Sequence, residues 1–529
     1  MNMNTLNSKN INILDLPDEI LLIIFHKLHM IEMFYSLVNV NQRFDRLVLD
    51  PFCIHHLDLT IEPFLNDNSP ANNAIFNRIR REILPRINHK VNKLTIESLS
   101  MACILDTIDF TALTSLRLDN FQSEILLQHL TGDTILFRLL TNQITQIQVN
   151  TVDNIREISE GNELNILSLI LSIGKYLTDV TFTHWWHNQG ITFSFFNLTS
   201  TTCVSSSLTK LIILVQTFDD CLYLLDGRLK YLSILIISII KINDSSSNID
   251  NTKKLPKLKY FSLSSSCYTY CYNNRIVPLL RRMSNIEELT LFLSILRNES
   301  TYIVGTQLYN DFLVYMPRLN KFTFSIHTQI NNNDIDIDLP SANDILNSFT
   351  KIGYRQVDLY ANDKLTNSTG YCHVYSLPYH FDNFMFMTNR FPGGIFNTVR
   401  LLVMLDVHPF ENDLFKIISQ NFPLLQRLSI DNREPQKTKQ HSSTIITFPH
   451  LYKLDVRKAH IDYAVEFLFD KNISLPRLTY LFIEYDTLAT ITEGFTNDAA
   501  RRTCAQIKTL LITEPIVRPE NFLPYFSSL

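Results

Sequence analysis

Beyond about residue 50 the chain repeats one apolar figure, three positions spaced 1, 4 and 6. Leu113-Leu116-Leu118, Leu229-Leu232-Ile234, Ile286-Leu289-Leu291, Leu319-Phe322-Phe324, Leu425-Leu428-Ile430, Leu451-Leu454-Val456 and Leu478-Leu481-Ile483 are examples. Starting at Ile54, sixteen triplets begin at 54, 91, 113, 144, 177, 208, 229, 258, 286, 319, 354, 396, 425, 451, 478 and 507, and from 91 onward the mean step is about 30 residues. Alternation at positions 4 and 6 predicts a short strand with that side turned inward. The figure is weak by itself, because if about a third of residues qualify as apolar, this length gives on the order of twenty matches by chance.

Two companion features decide the matter. Pro256, Pro317, Pro423, Pro449 and Pro476 each stand two places before the first apolar position, behind Leu255, Met316, Phe422, Phe448 and Leu475. Sixteen positions in a chain with 19 prolines among 529 residues would hold about 0.6 by chance. Proline drives its predecessor out of the helical region and so closes a helix before a strand. The spacers carry helical patterns, as in Asp413–Ile418, Tyr463–Phe469, Gln307–Met316 and Leu164–Ile173. Strand, helix, proline, strand at regular intervals predicts a parallel α/β solenoid over residues 53–529. A two-layer α/β sandwich of another kind is the structural alternative. The longest step, 354 to 396, contains Asn362–Gly394 with three of the 11 glycines, which predicts either a degenerate repeat or an insertion near a binding surface.

Residues 14–49, LDLPDEILLIIFHKLHMIEMFYSLVNVNQRFDRLVL, break this rhythm. Pro17 suits a helix entrance, and Asp18 with Glu19 places negative charge in a first turn. Ile20, Ile24 and Leu28 mark one apolar face, widened by Leu21 and Phe25. Two short runs follow, Phe34, Leu37, Val38 and then Phe44, Leu47, Val48. Three short helices in so few residues bury little core, so apolar surface is expected to remain exposed and to call for a partner. A small capping subdomain is the plain alternative.

The order Leu16-Pro17-Asp18-Glu19-Ile20, Ile24-Phe25, Leu28 and Val38-Asn39-Val40-Asn41-Gln42-Arg43-Phe44 resembles the F-box, with Glu32-Met33 where an acidic-Leu pair is usual. The triplet with its step near thirty likewise resembles the leucine-rich repeat at the long end of its period. The usual Asn or Cys at position 9 is replaced by Leu99, Phe121 or Val152, so an irregular arc is expected. Together they resemble F-box proteins with degenerate leucine-rich repeats. The resemblance implies an α/β fold: a disordered tail (1–10), an all-helical F-box (11–52) and an irregular right-handed α/β solenoid of horseshoe type. It also implies a Skp-type adaptor and a cullin–RING ubiquitin ligase as partners, docked through Leu16, Pro17, Ile20, Ile24, Leu28, Leu37, Val40 and Phe44. A protein substrate would be presented for ubiquitination, with no chemistry in this chain. An F-box scaffold acting outside any ligase is the alternative.

Composition narrows the field further. Net charge is −5 and pI about 6.3, so no basic excess exists to neutralise phosphates and nucleic acid is not expected as a partner. Eight cysteines without framework spacing suggest a reducing compartment, cytoplasm or nucleus. The most apolar run, Tyr231 to Ile240, is too short to span a bilayer. Glycine is scarce at 11 in 529, and no phosphate-cradling motif occurs, which argues against nucleotide cofactors.

Other site-like features resolve to ordinary explanations. His184-Trp185-Trp186-His187 lacks a third ligand at usable spacing and reads as a contact loop. Cys267 and Cys271 have no second pair and read as thiols at a loop start. Asp334, Asp336 and Asp338 fall out of register with a calcium loop, where Leu339 and Ile345 occupy the required Gly and Glu places. No metal or cofactor is expected. In the strand register, positions 3, 5 and 7 emerge from the sheet. Arg427, Asp431, Lys453, Asp455, Arg457, Tyr480, Phe482 and Glu484 therefore form a candidate substrate face, rich in residue types favoured at interfaces. The competing expectation is that Phe482 lies beneath Phe522–Phe526 and the charges pair across strands.

Overall fold

Most strands of the parallel sheets begin at one kind of turn, and there the triplets acquire structure. The computed structural model describes residues 12–60, 70–105, 108–151, 162–183, 204–244, 254–298, 300–332, 337–366, 368–437, 445–469, 471–512 and 519–529. The N–H of the first triplet residue donates to the carbonyl three residues back: Leu113 to Phe110, Leu258 to Leu255, Leu425 to Phe422, Leu451 to Phe448, Leu478 to Leu475. The residue three back is a buried anchor in nearly every case, such as Phe110, Phe422 and Phe448. Each of the five motif prolines sits just after that anchor, where its fixed φ presets the turn. Pro476→Ala is therefore expected to cost about 0.5–1 kcal/mol, mainly by freeing the unfolded chain. A urea midpoint that falls with unchanged slope checks this.

The chain divides into two compact units, Met1–Leu263 with Pro278–Glu288, and Ser264–Val277 with Leu289–Leu529. Both are mixed α/β with parallel strands and many helices. The first opens with helices α1 (Asp18–Phe25), α2 (Met30–Leu37) and α3 (Gln42–Val48). Strands β1 (His56–Asp58), β2 (Lys93–Glu97), β3 (Ser115–Phe121), β4 (Gln146–Thr151), β5 (Asp179–Thr183), β6 (Lys210–Thr217) and β7 (Ile234–Lys241) follow, each parallel to the one before. A hydroxyl ladder stitches their entrances. Thr114, Thr145, Thr178, Thr209 and Ser233 donate side-chain hydrogen bonds to the carbonyls of Asn92, Thr114, Thr145, Thr178 and Thr209, at 2.9–3.4 Å. All five occupy triplet position 2, so the position-9 Asn ladder that the sequence lacks has a hydroxyl counterpart at the strand start.

After β8 (Tyr260–Thr269) and β9 (Glu288–Asn298), the second unit contains β10 (Lys321–Asn331), β11 (Val357–Ala361) and β12 (Thr369–Ser376). Strand β12 runs antiparallel to both β10 and β11 and lies between them. A six-stranded parallel sheet follows: β13 (Asn383–Met387), β14 (Leu401–Leu405), β15 (Arg427–Asn432), β17 (Lys453–Ala459), β19 (Tyr480–Phe482) and β20 (Thr509–Leu511). β16 (Ile446–Thr447) and β18 (Ile473–Ser474) form a small separate pair. Glycine is used where contact demands it: a Cβ on Gly305 would lie 2.7 Å from the Phe349 backbone.

The structure refines the sequence reading at several points. Residues 53–529, expected as a solenoid, are shared between the two compact units, and the region 362–394, expected as a degenerate repeat or an insertion, contains one antiparallel strand and one parallel strand. It supplies antiparallel β12 and then β13, whose Tyr375 and Phe384 join Tyr379, Phe391, Phe396 and Phe422 in an aromatic core. Two triplets start three residues late: the inward sets are Leu232-Leu235-Ile237 and Val399-Leu402-Met404, not those from 229 and 396. Leu229 and Phe396 are the turn anchors, and the outward Ile234 and Leu401 happened to be apolar, which completed a false triplet. Cys267 lies within β8 rather than at a loop start, and the six described cysteines are free thiols.

No described helix is long and apolar enough to cross a membrane. The amino-terminal tail, the His184–His187 segment, Asp334 and Asp336 lie outside the described residues.

Candidate functional site

The amino-terminal helices build their core from one side only. Asn41 caps α3 by accepting the Phe44 N–H at 2.8 Å, and His29 with Glu32 form a reciprocal cap on α2. Leu21 and Phe25 of α1 turn inward with Met33, Phe34, Val38, Leu47 and Val48, and Phe25 meets Phe44 edge-on at 5.2 Å. Helix α1 is thus apolar on two faces. Leu21 and Phe25 make the fold, while Ile20, Ile23 and Ile24 are 42%, 57% and 39% exposed on the other side.

An arginine clamp fixes the segment before α1. Arg43 of α3 donates to Asp18 at 2.7 Å and to the carbonyls of Leu14 and Leu16 at 2.7 and 2.6 Å, while Arg46 reaches Asp18 at 2.7 Å. The hydrogen bond from Arg43, reinforced by both positive charges, holds the Asp18 carboxyl below the usual carboxylate range. The clamp leaves Ile13 and Leu14 exposed and Leu16 half-buried at the start of α1. Arg43→Met is expected to release this segment. Amide exchange at residues 14–16 should rise by about tenfold or more while the helices stay folded, since local opening no longer breaks those bonds. Unchanged protection there would show that the clamp holds nothing.

Further along, Asp45 accepts the Asn39 N–H at 2.7 Å and Arg86 at 2.9 Å, and Arg78 donates to the carbonyls of Tyr35 and Val38. These bonds tie the α2–α3 connection to the helical stretch that follows, and Val40 is left 58% exposed. Of the eight expected contact residues, Pro17, Ile20, Ile24, Leu28 and Val40 are exposed, and Leu16 and Leu37 are half-buried. Phe44 is buried against Phe25 and belongs to the core instead. Sequence reading missed Ile13, Leu14, Ile23, Tyr35 and Phe52, the last 97% exposed. A near-continuous apolar α1 was the available signal, for a helix apolar all round must bury both faces.

This concentration is unusual within the molecule. Nine of the 24 exposed large apolar side chains among the described residues fall between Ile13 and Phe52. Scattered singly they would need no explanation, but their concentration here makes this segment the candidate for an interaction surface.

The carboxy-terminal sheet brings the other candidate residues together only in part. Arg427, Lys453 and Tyr480 are aligned across β15, β17 and β19, as are Ser429, Asp455 and Phe482. Phe482 lies beneath two cations, Lys453 at 4.3 Å and Arg457 at 5.0 Å from its ring. Arg457 grips Asp455 with two bonds of 2.9 and 2.6 Å, and Lys458 pairs with Asp431 at 3.3 Å. A register shift between Ser429 and Asp431 moves Arg457 out of the row, Arg427 is buried, and Glu484 stands at the N-cap position of the helix Tyr485–Ile491 without a side-chain capping bond. Phe522, Tyr525 and Phe526 cover Phe495, at 5.1–6.2 Å, rather than Phe482. Burial keeps the Lys453 ammonium below its ordinary range. The face is therefore largely satisfied by its own cation–π and ion pairs.

Among the described residues no group of three His, Cys, Asp or Glu side chains could hold a metal ion. Burial pushes the Cys221 and Cys504 thiols up to about 12, which suppresses thiolate chemistry. Comparison with protein-family models finds none that matches this chain, and comparison with curated proteins finds no match either.

Proposed function

We propose that residues 11–52 act as an F-box that docks on a Skp-type adaptor, and that the remainder of the chain presents a protein substrate to a cullin–RING ubiquitin ligase. The observation that carries the reading is the outer face of α1, where Ile20, Ile23 and Ile24 stand exposed on a helix whose opposite face already supplies the core. Pro17 and the clamped Leu14–Leu16 segment extend that face at one end and Leu28 at the other. Burying such side chains against a partner is worth about 1.5–3 kcal/mol each, enough for a stable contact from a handful. On this reading the chain contributes no chemistry of its own. It works by holding substrate lysines near the ubiquitin-loaded enzyme, so rate comes from proximity. Cytoplasm or nucleus is the matching compartment.

Co-expression with a Skp-type adaptor tests the reading. The expected result is a one-to-one complex that survives gel filtration, with a lower yield of soluble chain when the adaptor is omitted. A chain that stays monodisperse alone and ignores the adaptor overturns it.

A further inference from the structure

The first unit contains a cavity of about 200 Å³ between two successive strand-entry turns, Leu229–Leu232 and Leu255–Leu258. Its walls are Leu224, Leu225, Leu229, Leu232 and Leu258, all buried. Its rim holds three exposed lysines, Lys230, Lys254 and Lys257, and among the described residues no carboxylate lines it. The nearest acidic neighbour in sequence, Asp226, is gripped by Arg228 at 3.0 and 2.6 Å.

The turns explain why the space exists. In several repeats a bulky buried anchor fills the position three residues before the triplet, as Phe110, Met316, Phe396, Phe422 and Phe448 do at 1–3% exposure, while Gly174, Leu475 and Cys504 hold it in others. Here the anchors are the smaller Leu229 and Leu255, and Leu255 is only partly covered. Neither turn supplies an aromatic ring to the space between them. A cavity of about 150 Å³ holds a benzene ring, whereas sites for whole small molecules run to about 300–1,000 Å³. The volume here suits a single side chain of a longer ligand.

We propose that this cavity binds an acidic peptide through one aromatic or large aliphatic residue, with flanking Asp or Glu side chains on Lys230, Lys254 and Lys257. The ring takes the kind of place that Phe422 and Phe448 occupy in their own turns. Exposed lysines around an apolar socket steer an acidic segment and set its orientation. Lys257 also lies 4.3 Å over the ring of Tyr231, which is 49% exposed and stands between the lining residues Lys230 and Leu232 in sequence. The proposal goes beyond adaptor docking and does not rest on it.

Panning a random twelve-residue peptide display library on the full chain tests it. Enriched peptides should share one Phe, Trp or Leu flanked by acidic residues, and synthetic fluorescein-labelled copies should bind more weakly as salt rises. Two variants report on the site. Lys230→Glu/Lys254→Glu/Lys257→Glu should reduce affinity by about tenfold or more. Leu255→Phe fills the socket from within and should do the same without lowering the melting temperature. Enrichment of basic or uncharged sequences, or binding undiminished in both variants, overturns the proposal. So does the pairing of no peptide enrichment with lysine-dependent binding to phosphatidylserine vesicles, which would assign the socket to a lipid surface.

Discussion

Ile20→Asp combined with Ile24→Asp is expected to abolish adaptor association while leaving the melting temperature of the isolated chain unchanged. Both side chains are about 40% exposed and point away from Leu21 and Phe25, so the helix loses no core contact. In a docked complex each isoleucine would contribute about 1.5–3 kcal/mol, and a buried unpaired carboxylate costs several more. The sum corresponds to a loss of affinity of about a thousandfold or greater. Phe44→Ala is the informative contrast. Phe44 is buried against Phe25, so its truncation should cost about 3–5 kcal/mol of folding stability and disrupt the helices themselves. Co-purification by the double variant at the wild-type level would end the docking reading. Loss of co-purification only in Phe44→Ala would reduce α1 to a structural element.

Mild acid is expected to destabilise the second unit. His327 of β10 and His373 of β12 are directly paired in register, their rings 5.7 Å apart, and both are buried. Tyr268, Tyr371, Phe386 and His373 face His327, while Ser325, Tyr360, Tyr375 and Phe384 face His373, so no carboxylate is present to support a proton. Burial pushes His327 down to about 3 from its ordinary 6.5 and His373 well below that value, the neighbouring His327 adding to the effect. The unfolded chain therefore binds protons that the folded chain refuses. Stability is fully present above about pH 6.5 and falls as pH drops below it, by about 2 kcal/mol for His327 between pH 7 and pH 5, with His373 adding to the decline in the same direction. Urea midpoints by circular dichroism across that range should show the decline. His327→Phe, placed among aromatic neighbours, should make the pH slope shallower. An identical slope in the variant would place the acid sensitivity elsewhere.

Much of this architecture was legible in the sequence. The triplets located the buried strand positions, and the five prolines marked turns whose hydrogen bonds run from Leu258, Leu319, Leu425, Leu451 and Leu478 to the anchors three residues back. The hydroxyl ladder was visible in part, as Thr at position 2 of four successive repeats, with Ser233 joining them only in the corrected register. The errors at 229 and 396 have one cause. An anchor, a true first position and an outward apolar residue reproduce the same spacing, and periodicity cannot say which residue starts the strand.

The site was readable to the extent that a short helix carried more apolar residues than its fold could bury. The sequence alone determined that α1 is apolar, begins at Pro17 and is followed by two more short helices, because these depend on local spacing and capping. Only tertiary structure decided which apolar residues face out: Phe44 goes inside because Phe25 meets it there, and Ile23 and Phe52 stay outside because no described element covers them. The same division holds in the carboxy-terminal sheet. Alternation put Phe482 on the outer side of β19, and its neighbours across β17 put Lys453 and Arg457 over the ring. In β12, a segment of ordinary strand pattern runs antiparallel between β10 and β11. Strand direction is set by which partner offers its free edge, and that is a property of the folded sheet rather than of any residue's spacing.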